Sequence, residues 1–410
     1  MNEISVKTEH LTDGIVTSCP VLLLGGEANS LAITRHFRRL GIAVRVSGGP
    51  SCWALKSRDC AEALPVPPGT STHEHWSALL LSPAPSHLDG HIVFAMDDDA
   101  ISFVTAHEAA LRARYRLELF DGILRAAMLD KRRTLELAAE VGVPAPRFWP
   151  VETVADIEAL RGQLTFPVMV KPVHSHLFVR AFGRKLFIIE ADFDDLVARA
   201  RDALDKGLAI SVVEMIPGPD SLLSSYYTYI DARGTPLFHY TKRIVRRHPA
   251  NSGQAVYHVT EWLPETAEIG LRYLRGIGWR GLANIEFKRD TRDGTLKLIE
   301  VNTRFTEAHR LLLRSGAPVD LVAYCDLTGQ PAPVVTGYLQ DVRLWQPVRD
   351  FRAFLDLRRH RKLGLRGWLA SLPRRATITP VFSLRDPIPS VERLRFSVAA
   401  RWQRMWARAR

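Results

Sequence analysis

The sequence contains few cysteines and no long apolar run. Four of its 410 residues are cysteines, and no two of them form a CxxC pair or another spacing typical of metal ligands. Disulfides and cysteine-bound metals are therefore disfavoured, and reduced thiols in the cytoplasm are expected. The longest apolar stretches fall far short of the roughly 18 residues that span a membrane. The N-terminal segment carries several charges and no apolar run, which disfavours a secretory signal.

Acidic residues are scarce in one part of the chain only. Residues 341–410 hold 17 Lys and Arg against 5 Asp and Glu, whereas residues 1–340 hold 38 against 39. The net charge of +11 therefore belongs to the C-terminal segment, and the rest of the chain is close to neutral. A body wrapped in nucleic acid is disfavoured by this distribution, so nucleic acid is the least expected partner.

The N-terminal part predicts a βαβ unit. Residues 21–24 are an apolar run that ends in two glycines, residues 30–40 have helical spacing, and residues 42–46 are rich in β-formers. This order is typical of a parallel sheet. A dinucleotide site is disfavoured, because the glycines lack the GxGxxG spacing and Glu27 would repel a pyrophosphate.

Further helices and strands are expected after this unit. Aspartates at 97–99 favour a cap for a helix that runs to about residue 115, and residues 130–141 predict another helix that ends at Gly142. From about residue 150 strands and helices alternate as in α+β proteins. The sequence thus combines α/β and α+β parts.

Two alternating runs predict a β-hairpin later in the chain. Residues 281–288 and 295–304 flank a segment that ends in an Asp-Gly turn. A three-residue loop at 292–294, with its glycine left-handed, places Glu286 opposite Glu300. Asn302 then shares a face with Glu300, because strand side chains alternate. Residues 285, 287, 299 and 301 are expected to pack on the other face.

The opposed carboxylates suggest a cation site. Two carboxylates that face each other across a strand pair repel unless a cation lies between them. Carboxylate and carboxamide oxygens suit Mg²⁺, which proteins commonly hold with one or two carboxylates plus substrate phosphates. The alternative is an exposed strand face neutralised by Lys288 and Lys297, and the hairpin spacing alone does not decide between the two.

Three other segments supply groups that suit a nucleotide. The apolar strand at 166–172 ends near Lys171, and a lysine in such a strand needs an anionic partner. Lys131, at the start of its predicted helix, is a second candidate phosphate contact, with a solvated surface lysine as the alternative. The strand at 212–216 stops at a Pro-Gly turn, so its free backbone groups can contact an adenine edge.

In this order and spacing, the segments resemble an ATP-grasp protein of the carboxylate–amine ligase branch, similar to D-aspartate ligases and carbamoyl-phosphate-synthase-type domains. The resemblance covers about residues 20–325 and rests on residues 130–134 with 142–146, 166–172, 214–220, 281–290 and 298–305. It implies an N-terminal tail at 1–19 and a Rossmann-like pre-ATP-grasp domain at 20–125. It also implies a two-subdomain ATP-grasp fold at 126–340, with the flap-bearing subdomain at about 150–215. A composition shift near residue 340 marks a basic, partly helical C-terminal extension at 341–410.

The resemblance also assigns roles to single residues. Those matched to ATP are the phosphate lysines Lys131 and Lys171, the hinge backbone of Glu214, Met215 and Ile216, and Asp220 on the ribose. Those matched to Mg²⁺, with Mn²⁺ as an alternative metal, are Glu286, Glu300 and Asn302. Arg304 matches the cation that steadies an acyl phosphate. Further candidates to face the γ-phosphate or the carboxylate substrate are Lys242, Arg243 and Lys288.

One segment departs from the family pattern. Many ATP-grasp proteins have a glycine-rich flap after the strand lysine, whereas this sequence has His174, Ser175 and His176 there. Backbone amides cradle phosphate most easily where glycine permits a close approach. The flap is therefore expected to use the side chains of His174, Ser175 or His176, or to close differently. A polar loop without nucleotide contact is the alternative.

The implied activity is an ATP- and Mg-dependent ligase that activates a carboxylate as an acyl phosphate and joins it to an amine. Its partners are then a small-molecule carboxylate and a small-molecule amine. No protein nucleophile is required, since positioning and electrostatics carry phosphoryl transfer. The second hypothesis is a catalytically silent ATP-grasp protein that binds nucleotide or acts as a scaffold, at an anionic membrane surface or with an acidic partner.

The last segment predicts a basic amphipathic helix. Apolar residues recur at helical spacing over residues 393–410, among six arginines. Such a helix can lie on an anionic membrane surface, which would make the cytoplasmic protein peripheral at the inner face of the membrane. Its apolar stripe can also pack on the ATP-grasp domain or on the partner of a homodimer. An acidic polymer is a further candidate partner.

Overall fold

The structure is a computed structural model. It describes residues 14–172, 175–184, 186–251, 253–373 and 377–409. Within these ranges, the side chains at 175–177, 179, 400, 401 and 403–409 are not described.

A four-stranded parallel sheet with flanking helices forms the N-terminal part. Its elements are β1 (Val21–Leu24), α1 (Ala28–Arg39), β2 (Val44–Gly48), β3 (Glu62–Pro65), α2 (Thr72–Leu80), β4 (Ile92–Ala95), α3 (Asp98–Ala106) and α4 (Glu108–Arg112). The strand order is β3-β2-β1-β4, and all neighbouring pairs are parallel. Every residue of β1 is buried, as expected for a strand covered on both faces. The predicted parallel βαβ unit is confirmed.

The two glycines after β1 allow the side chain of Asp97 to approach the backbone closely. The Gly26 N–H donates to Asp97 Oδ2 (2.8 Å). Gly25 has a φ of +74°, and a Cβ on it would lie 2.0 Å from Asp97 Oδ2. Any side chain at Gly25 would therefore displace the aspartate. The Asp97 carboxylate thus packs directly against the turn after β1.

The helix predicted to run from the aspartates to about residue 115 is shorter than expected. Asp97 caps α3 as predicted, since its Oδ1 accepts from the Ala100 N–H (2.9 Å). However, α3 ends at Ala106, and α4 is a separate short helix. The chain then returns to the sheet edge, where the Arg116 N–H donates to the His91 carbonyl (2.8 Å). This pairing with the sheet ends the helical stretch.

A second, antiparallel sheet follows. Its elements, with the two helices that lead into it, are α5 (Gly122–Leu129), α6 (Lys131–Glu140), β5 (Phe148–Val151), α7 (Val154–Glu158), β6 (Val168–Pro172), α8 (Ser175–Phe182), β7 (Phe187–Ile189), α9 (Phe193–Asp205) and β8 (Ile210–Glu214). The strand order is β5-β8-β6-β7. The helix predicted over 130–141 is confirmed as α6, and Asp130 caps it by accepting from the Arg132 N–H (2.8 Å).

A seven-stranded sheet forms the largest part. Its elements are β9 (Leu223–Ile230), β10 (Tyr240–His248), β11 (Gln254–Thr260), α10 (Pro264–Gly276), β12 (Gly281–Arg289), β13 (Leu296–Asn302), α11 (His309–Arg314), α12 (Val319–Thr328), β14 (Arg343–Trp345) and β15 (Thr377–Ile378). The strand order is β13-β12-β9-β10-β11-β14-β15. The last two strands come from the basic C-terminal segment, which therefore continues the sheet.

The predicted hairpin is present, with one internal difference. Glu286 lies opposite Glu300 as expected, and Gly294 is left-handed with a φ of +73°. The loop is one residue longer than predicted, because the Asp290 N–H already pairs with the Thr295 carbonyl (2.8 Å). A bulge at Ile299 restores the register. The expected packing of Ile299 is therefore wrong, and the buried cluster uses the side chains on either side of the bulge: Leu296, Leu298, Val301, Ile285 and Phe287.

The C-terminal segment contains three helices and is fixed to the body by two buried ion pairs. The helices are α13 (Pro347–Arg359), α14 (Leu365–Ser371) and α15 (Ile388–Ala409). Arg246 on β10 donates to both carboxylate oxygens of Asp350, at 2.5 and 3.0 Å. Arg35 on α1 donates to Asp386 Oδ2 (2.9 Å). These two contacts join the segment to the large sheet and to the N-terminal part.

The described portion of the chain includes no helix that is both long enough and apolar enough to cross a membrane.

We expect Asp350→Asn to destabilise the protein strongly. Asp350 is fully buried and accepts from the Arg246 guanidinium and from Trp368 Nε1 (3.1 Å), so the change leaves a buried cation without its counter-charge. The expected cost is about 3 kcal/mol or more in the free energy of unfolding. Chemical denaturation measures it.

Glu392→Gln is the matched control, because Glu392 pairs with the exposed Arg395 at 2.9 Å on α15. It should change stability by less than about 1 kcal/mol. Equal effects of the two substitutions would contradict the anchoring role of Asp350.

Candidate active site

A row of polar side chains crosses four neighbouring strands of the large sheet. Lys242 on β10 pairs in register with Ser225 on β9, Ser225 with Glu286 on β12, and Glu286 with Glu300 on β13. Side chains at such positions share one face of the sheet. The row thus places a cation, a small hydroxyl and two carboxylates in line. This is the core of the candidate site.

The two carboxylates of the row differ in their electrostatic surroundings. Burial raises the pKa of Glu286, and the charge of Glu300 raises it further, whereas Lys242 opposes the shift. Burial also acts to raise the pKa of Glu300, but Lys131, Lys171 and Arg304 outweigh it and lower the pKa overall. Glu300 is therefore the more firmly ionised member of the pair.

Lys242 ends the row as a deeply buried cation. It is 1% exposed, and its Nζ donates to Ser225 Oγ (3.0 Å). Burial lowers its pKa to about 8, while Glu286 opposes the shift. Arg243, its neighbour and another candidate, lies on the other face of β10, where its Nε donates to Glu261 (2.7 Å). The structure does not bring Arg243 into the row.

Lys131 and Lys171 approach the other end of the row. The Lys131 Nζ lies 3.5 Å from Glu300 Oε1, at the first turn of α6. Lys171 stands near the end of β6. Burial lowers the pKa of Lys171 to about 8, and repulsion from Lys131 and Arg247 adds to this, whereas Glu300 opposes it. Two cations with few counter-charges therefore surround one carboxylate.

The donors at this place fit Mg²⁺ together with ligands from a substrate. Glu286, Glu300 and Asn302 supply two carboxylates and a carboxamide, and Asn302 lies opposite Asn284 in the ladder. Nowhere in the described ranges do three or more His, Cys, Asp or Glu side chains gather as a metal site. A hard cation held by two carboxylates needs further oxygens, and phosphates provide them. The Oδ1 atom of buried Asn284 has no described hydrogen-bond partner, a feature that the hairpin pattern did not reveal.

Arg304 links the hairpin to the N-terminal part. Its Nε donates to Asp98 Oδ1 (2.7 Å) at the start of α3. Although burial opposes the shift, Asp98 and Glu300 raise the pKa of Arg304. The Arg304 guanidinium therefore stays charged near the carboxylates of Asp98 and Glu300.

Asp220, predicted to contact the ribose, and Lys288, a candidate for the γ-phosphate, both lie near Arg247. No role for Arg247 was predicted from the sequence. Arg247 Nη2 donates to Asp220 Oδ1 (2.8 Å), and Asp220 is buried. Burial and the charge of Arg247 lower the pKa of Lys288 to about 8, whereas Asp220 and Asp290 oppose the shift. Arg247 was missed because the β10–β11 ladder shifts on both sides of Arg246, so alternation cannot tell which arginine faces the site.

Several polar groups of the predicted adenine hinge already form hydrogen bonds within the protein. Glu214 accepts from the Arg147 N–H (3.0 Å) and from the Arg292 guanidinium, so its side chain holds the hairpin loop to β8. The Met215 N–H donates to the Pro167 carbonyl (3.0 Å). Met215 and Ile216 are both buried. The Met215 N–H is thus not free for a nucleotide, and the hinge prediction narrows to the remaining backbone groups.

The segment after Lys171 contains a helix. His174 lies outside the described residues, and Ser175 begins α8, although its side chain is not described. The expected polar flap loop is therefore at least partly helical.

A mixed-charge cluster continues from Arg304 and was not predicted. Glu307 Oε2 accepts from the Ala28 N–H (3.0 Å) at the start of α1. Burial and repulsion from Glu27 raise the pKa of Glu307 to about 7, while Arg304 and Arg393 oppose the shift. The charges of Arg393 and Arg349 also oppose the rise in the pKa of Glu27. The C-terminal segment therefore contributes cations next to the candidate site.

Comparisons with known proteins agree with this architecture. No family model matches the chain. D-aspartate ligase from Enterococcus faecium (strain Aus0004) is 27% identical over 229 residues, which covers 52% of this chain and 53% of that protein. D-alanine–D-alanine ligase from Ectopseudomonas mendocina (strain ymp) is 29% identical over 191 residues, 44% of this chain and 58% of that protein. The chain thus spans about half the length of the curated relatives that it matches.

The fold comparison covers more of the chain. The structure of N5-carboxyaminoimidazole synthetase from Staphylococcus aureus complexed with ADP superposes with a TM-score of 0.60 and 14% identity, over 78% of this chain and 79% of that one. In sequence over about half its length, and in fold over most of it, the chain is similar to ATP-grasp proteins of the carboxylate–amine ligase type.

Proposed function

We propose that this protein is an ATP- and Mg²⁺-dependent ligase that activates a small-molecule carboxylate as an acyl phosphate and joins it to an amine. The observation that carries the proposal is the row of Lys242, Ser225, Glu286 and Glu300, with Lys131 at 3.5 Å from its outer end. Two carboxylates that face each other between cations are better suited to binding a metal–polyphosphate complex than to stabilising the fold.

The phosphates would be held from both sides. We assign Glu286, Glu300 and Asn302 to Mg²⁺ or Mn²⁺, and Lys131 and Lys171 to the phosphate oxygens. When bound, the metal neutralises charge on the β- and γ-phosphates and orients them. Lys171 adds charge from β6 of the second sheet and Lys131 from the start of α6, so the nucleotide would lie between the two sheets.

The transferred phosphoryl group would lie near Arg304 and Lys242. In the first step, a carboxylate oxygen of the substrate attacks the γ-phosphorus and ADP leaves. In the second, the amine nitrogen attacks the acyl carbon, inorganic phosphate leaves and the nitrogen loses a proton. Arg304, fixed by Asp98, and Lys242, fixed by Ser225, stabilise the negative charge that the transferred group carries.

The nucleoside end would lie around β8 and Asp220. We propose that free backbone groups of the hinge, among them those of Ile216, contact adenine. Asp220 would meet the ribose by sharing or exchanging its contact with Arg247. Lys288, buried beside Asp220, is assigned to the phosphates on this side.

A catalytically silent scaffold that binds no metal–nucleotide complex is disfavoured by the same row. Without a metal–nucleotide complex, the opposed carboxylates repel each other, and burial raises the pKa of Glu286. A protein that only used the fold as a scaffold would gain stability by losing one of them.

We further propose that the protein contacts an anionic membrane surface through α15. Leu394 is 66% exposed and Trp402 58% exposed, so this part of the apolar stripe does not pack on the described body of the protein. A homodimer that covers the same face is the competing arrangement.

A substrate panel tests the ligase activity. ADP release from Mg-ATP should rise well above the basal rate for at least one pairing of an amino acid or other carboxylate with an amine. Coupled detection of ADP and of inorganic phosphate should give equal amounts. If no pairing in a broad panel stimulates ADP release, the ligase proposal fails.

Glu286→Gln should separate catalysis from stability. Because burial and Glu300 raise the pKa of Glu286, its ionised form destabilises the fold at neutral pH, and the amide should leave the Tm unchanged or raise it. Loss of a metal ligand should lower kcat by roughly 100-fold or more and raise the Mg²⁺ requirement. Glu261→Gln, on the other face of the sheet, is the control. Normal Mg²⁺ dependence in Glu286→Gln would contradict the metal assignment.

Nucleotide affinity should fall as the pH rises through about 8. Lys171, Lys242 and Lys288 each have a pKa lowered to about 8, so they are charged below this pH and neutral above it. Calorimetry should show MgADP binding roughly tenfold more weakly at about pH 9 than at about pH 7. Lys171→Arg keeps its charge and should flatten the profile. A pH-independent Kd in the unmodified protein would argue against these contacts.

A further inference from the structure

A cavity on another part of the molecule is lined by arginines. It has a volume of about 280 Å³ and lies between α11 and the C-terminal segment around β15. Arg310, Arg314 and Arg385 line it together with the hydroxyl-bearing side chains of Thr377 and Ser383. At the roughly 30 Å³ that a water occupies in the liquid, the cavity has room for about nine waters. It can therefore hold a phosphate group with its hydration.

The wall of this cavity is built by hydrogen bonds. Arg310 Nη1 donates to the Thr379 carbonyl (2.8 Å) and to the Phe382 carbonyl (2.6 Å). Asp386, a few residues further along the chain, is fixed by Arg35 (2.9 Å) and by the Ser57 hydroxyl (2.7 Å). The loop that closes the cavity is thus tied to α11 on one side and to the N-terminal part on the other.

Few counter-charges accompany the arginines of this region among the residues that the structure describes. Arg39, Arg310, Arg314 and Arg385 form no ion pair with a described residue, although Asp59 attracts Arg39, and the carboxylate of Asp386 is already used by Arg35. Burial, together with repulsion from neighbouring arginines, lowers the pKa of Arg310 to about 10. Such a cluster is relieved when an anion enters, and the planar guanidinium suits phosphate oxygens.

Apolar side chains surround the mouth of the cavity and continue into α15. Phe382 is 54% exposed and Leu384 85% exposed, and both line the cavity. From Ile388 onward, five exposed apolar residues of α15 recur at helical spacing: Ile388, Val391, Leu394, Val398 and Trp402. Phe396 lies on another face of the helix, against Trp53. At 100° per residue, the five share about one third of the helix circumference. A soluble phosphate compound needs no such surroundings, whereas the interface of a membrane offers acyl chains next to its phosphates.

We propose that this cavity binds the phosphate of an anionic phospholipid headgroup, with Phe382 and Leu384 inserted among the neighbouring acyl chains. The site goes beyond the ligase activity and makes the proposed membrane contact through α15 specific for a phosphate. Arg314 and Arg385 are the exposed cations that meet the lipid, and Arg310 forms the floor.

Vesicle co-sedimentation of the full-length protein tests the site. Vesicles of phosphatidylcholine with phosphatidylglycerol should bind the protein, and vesicles of phosphatidylcholine alone should bind it weakly. Arg314→Glu with Arg385→Glu should lower the partition coefficient by roughly tenfold or more. Arg359→Glu with Arg366→Glu, the same charge change at exposed positions of α13 and α14, should lower it far less. Leu384→Ser should also weaken binding, whereas Ile123→Ser, at an equally exposed position on α5, should not.

Three results would overturn the proposal. One is that phosphatidylglycerol vesicles bind no better than neutral ones. Another is that Arg314→Glu with Arg385→Glu binds normally while Leu394→Ser with Val398→Ser does not, which leaves a contact through α15 alone. The third is that soluble glycerol phosphate binds the cavity tightly by calorimetry and vesicles do not. ADP release should be unchanged in the arginine variants, so the outcome is independent of the ligase assignment.

Discussion

The candidate site is organised around two carboxylates that face each other on neighbouring strands. Glu286 and Glu300 repel each other, and the fold compensates them with Lys242 on one side and with Lys131 and Lys171 on the other. The compensation is incomplete for the carboxylates and for the lysines. Burial raises the pKa of Glu286, and it lowers the pKa of Lys171 and Lys242. A metal together with a polyphosphate would supply the missing partners of both the anions and the cations in this site. This physical reason connects the sheet topology to the proposed reaction.

The same stretch of β10 serves the site and holds the C-terminal segment. Arg246 is buried against Asp350, while Arg247, the next residue, is paired with Asp220 at the candidate nucleotide site. Two consecutive strand residues can take these roles because the ladder is irregular between them. The basic segment is therefore an integrated part of the fold: it adds two strands to the large sheet and brings Arg349 and Arg393 towards Glu27 and Glu307.

Local patterns predicted much of this arrangement. The parallel βαβ start, the helix over Lys131–Glu140 and the pairing of Glu286 with Glu300 all follow from periodicity and turn residues. The predicted pairing of Glu286 with Glu300 was right although the loop is one residue longer than predicted, since the bulge at Ile299 offsets the shifted pairing nearer the turn. Periodicity cannot reveal such a bulge, because both registers keep polar and apolar residues alternating.

The rest depends on contacts between distant residues. Arg247 and Asp350 gain their roles from partners that are 27 and 104 residues away in the chain. Two local predictions also differ from the structure. The chain after Lys171 enters a helix where a loop was expected, and the Met215 N–H of the predicted hinge donates to the Pro167 carbonyl. The assignments of single residues to ATP, metal and substrate stay predictions that rest on the geometry and on the family resemblance.

The most direct test of the central claim follows oxygen from the substrate to phosphate. With a carboxylate labelled with ¹⁸O and its amine partner, the proposed acyl phosphate places one labelled oxygen in each inorganic phosphate released, which ³¹P NMR detects as an isotope shift. The account predicts this transfer in step with product formation. Product formation with unlabelled phosphate would contradict it, because the carboxylate would then have been activated by another route.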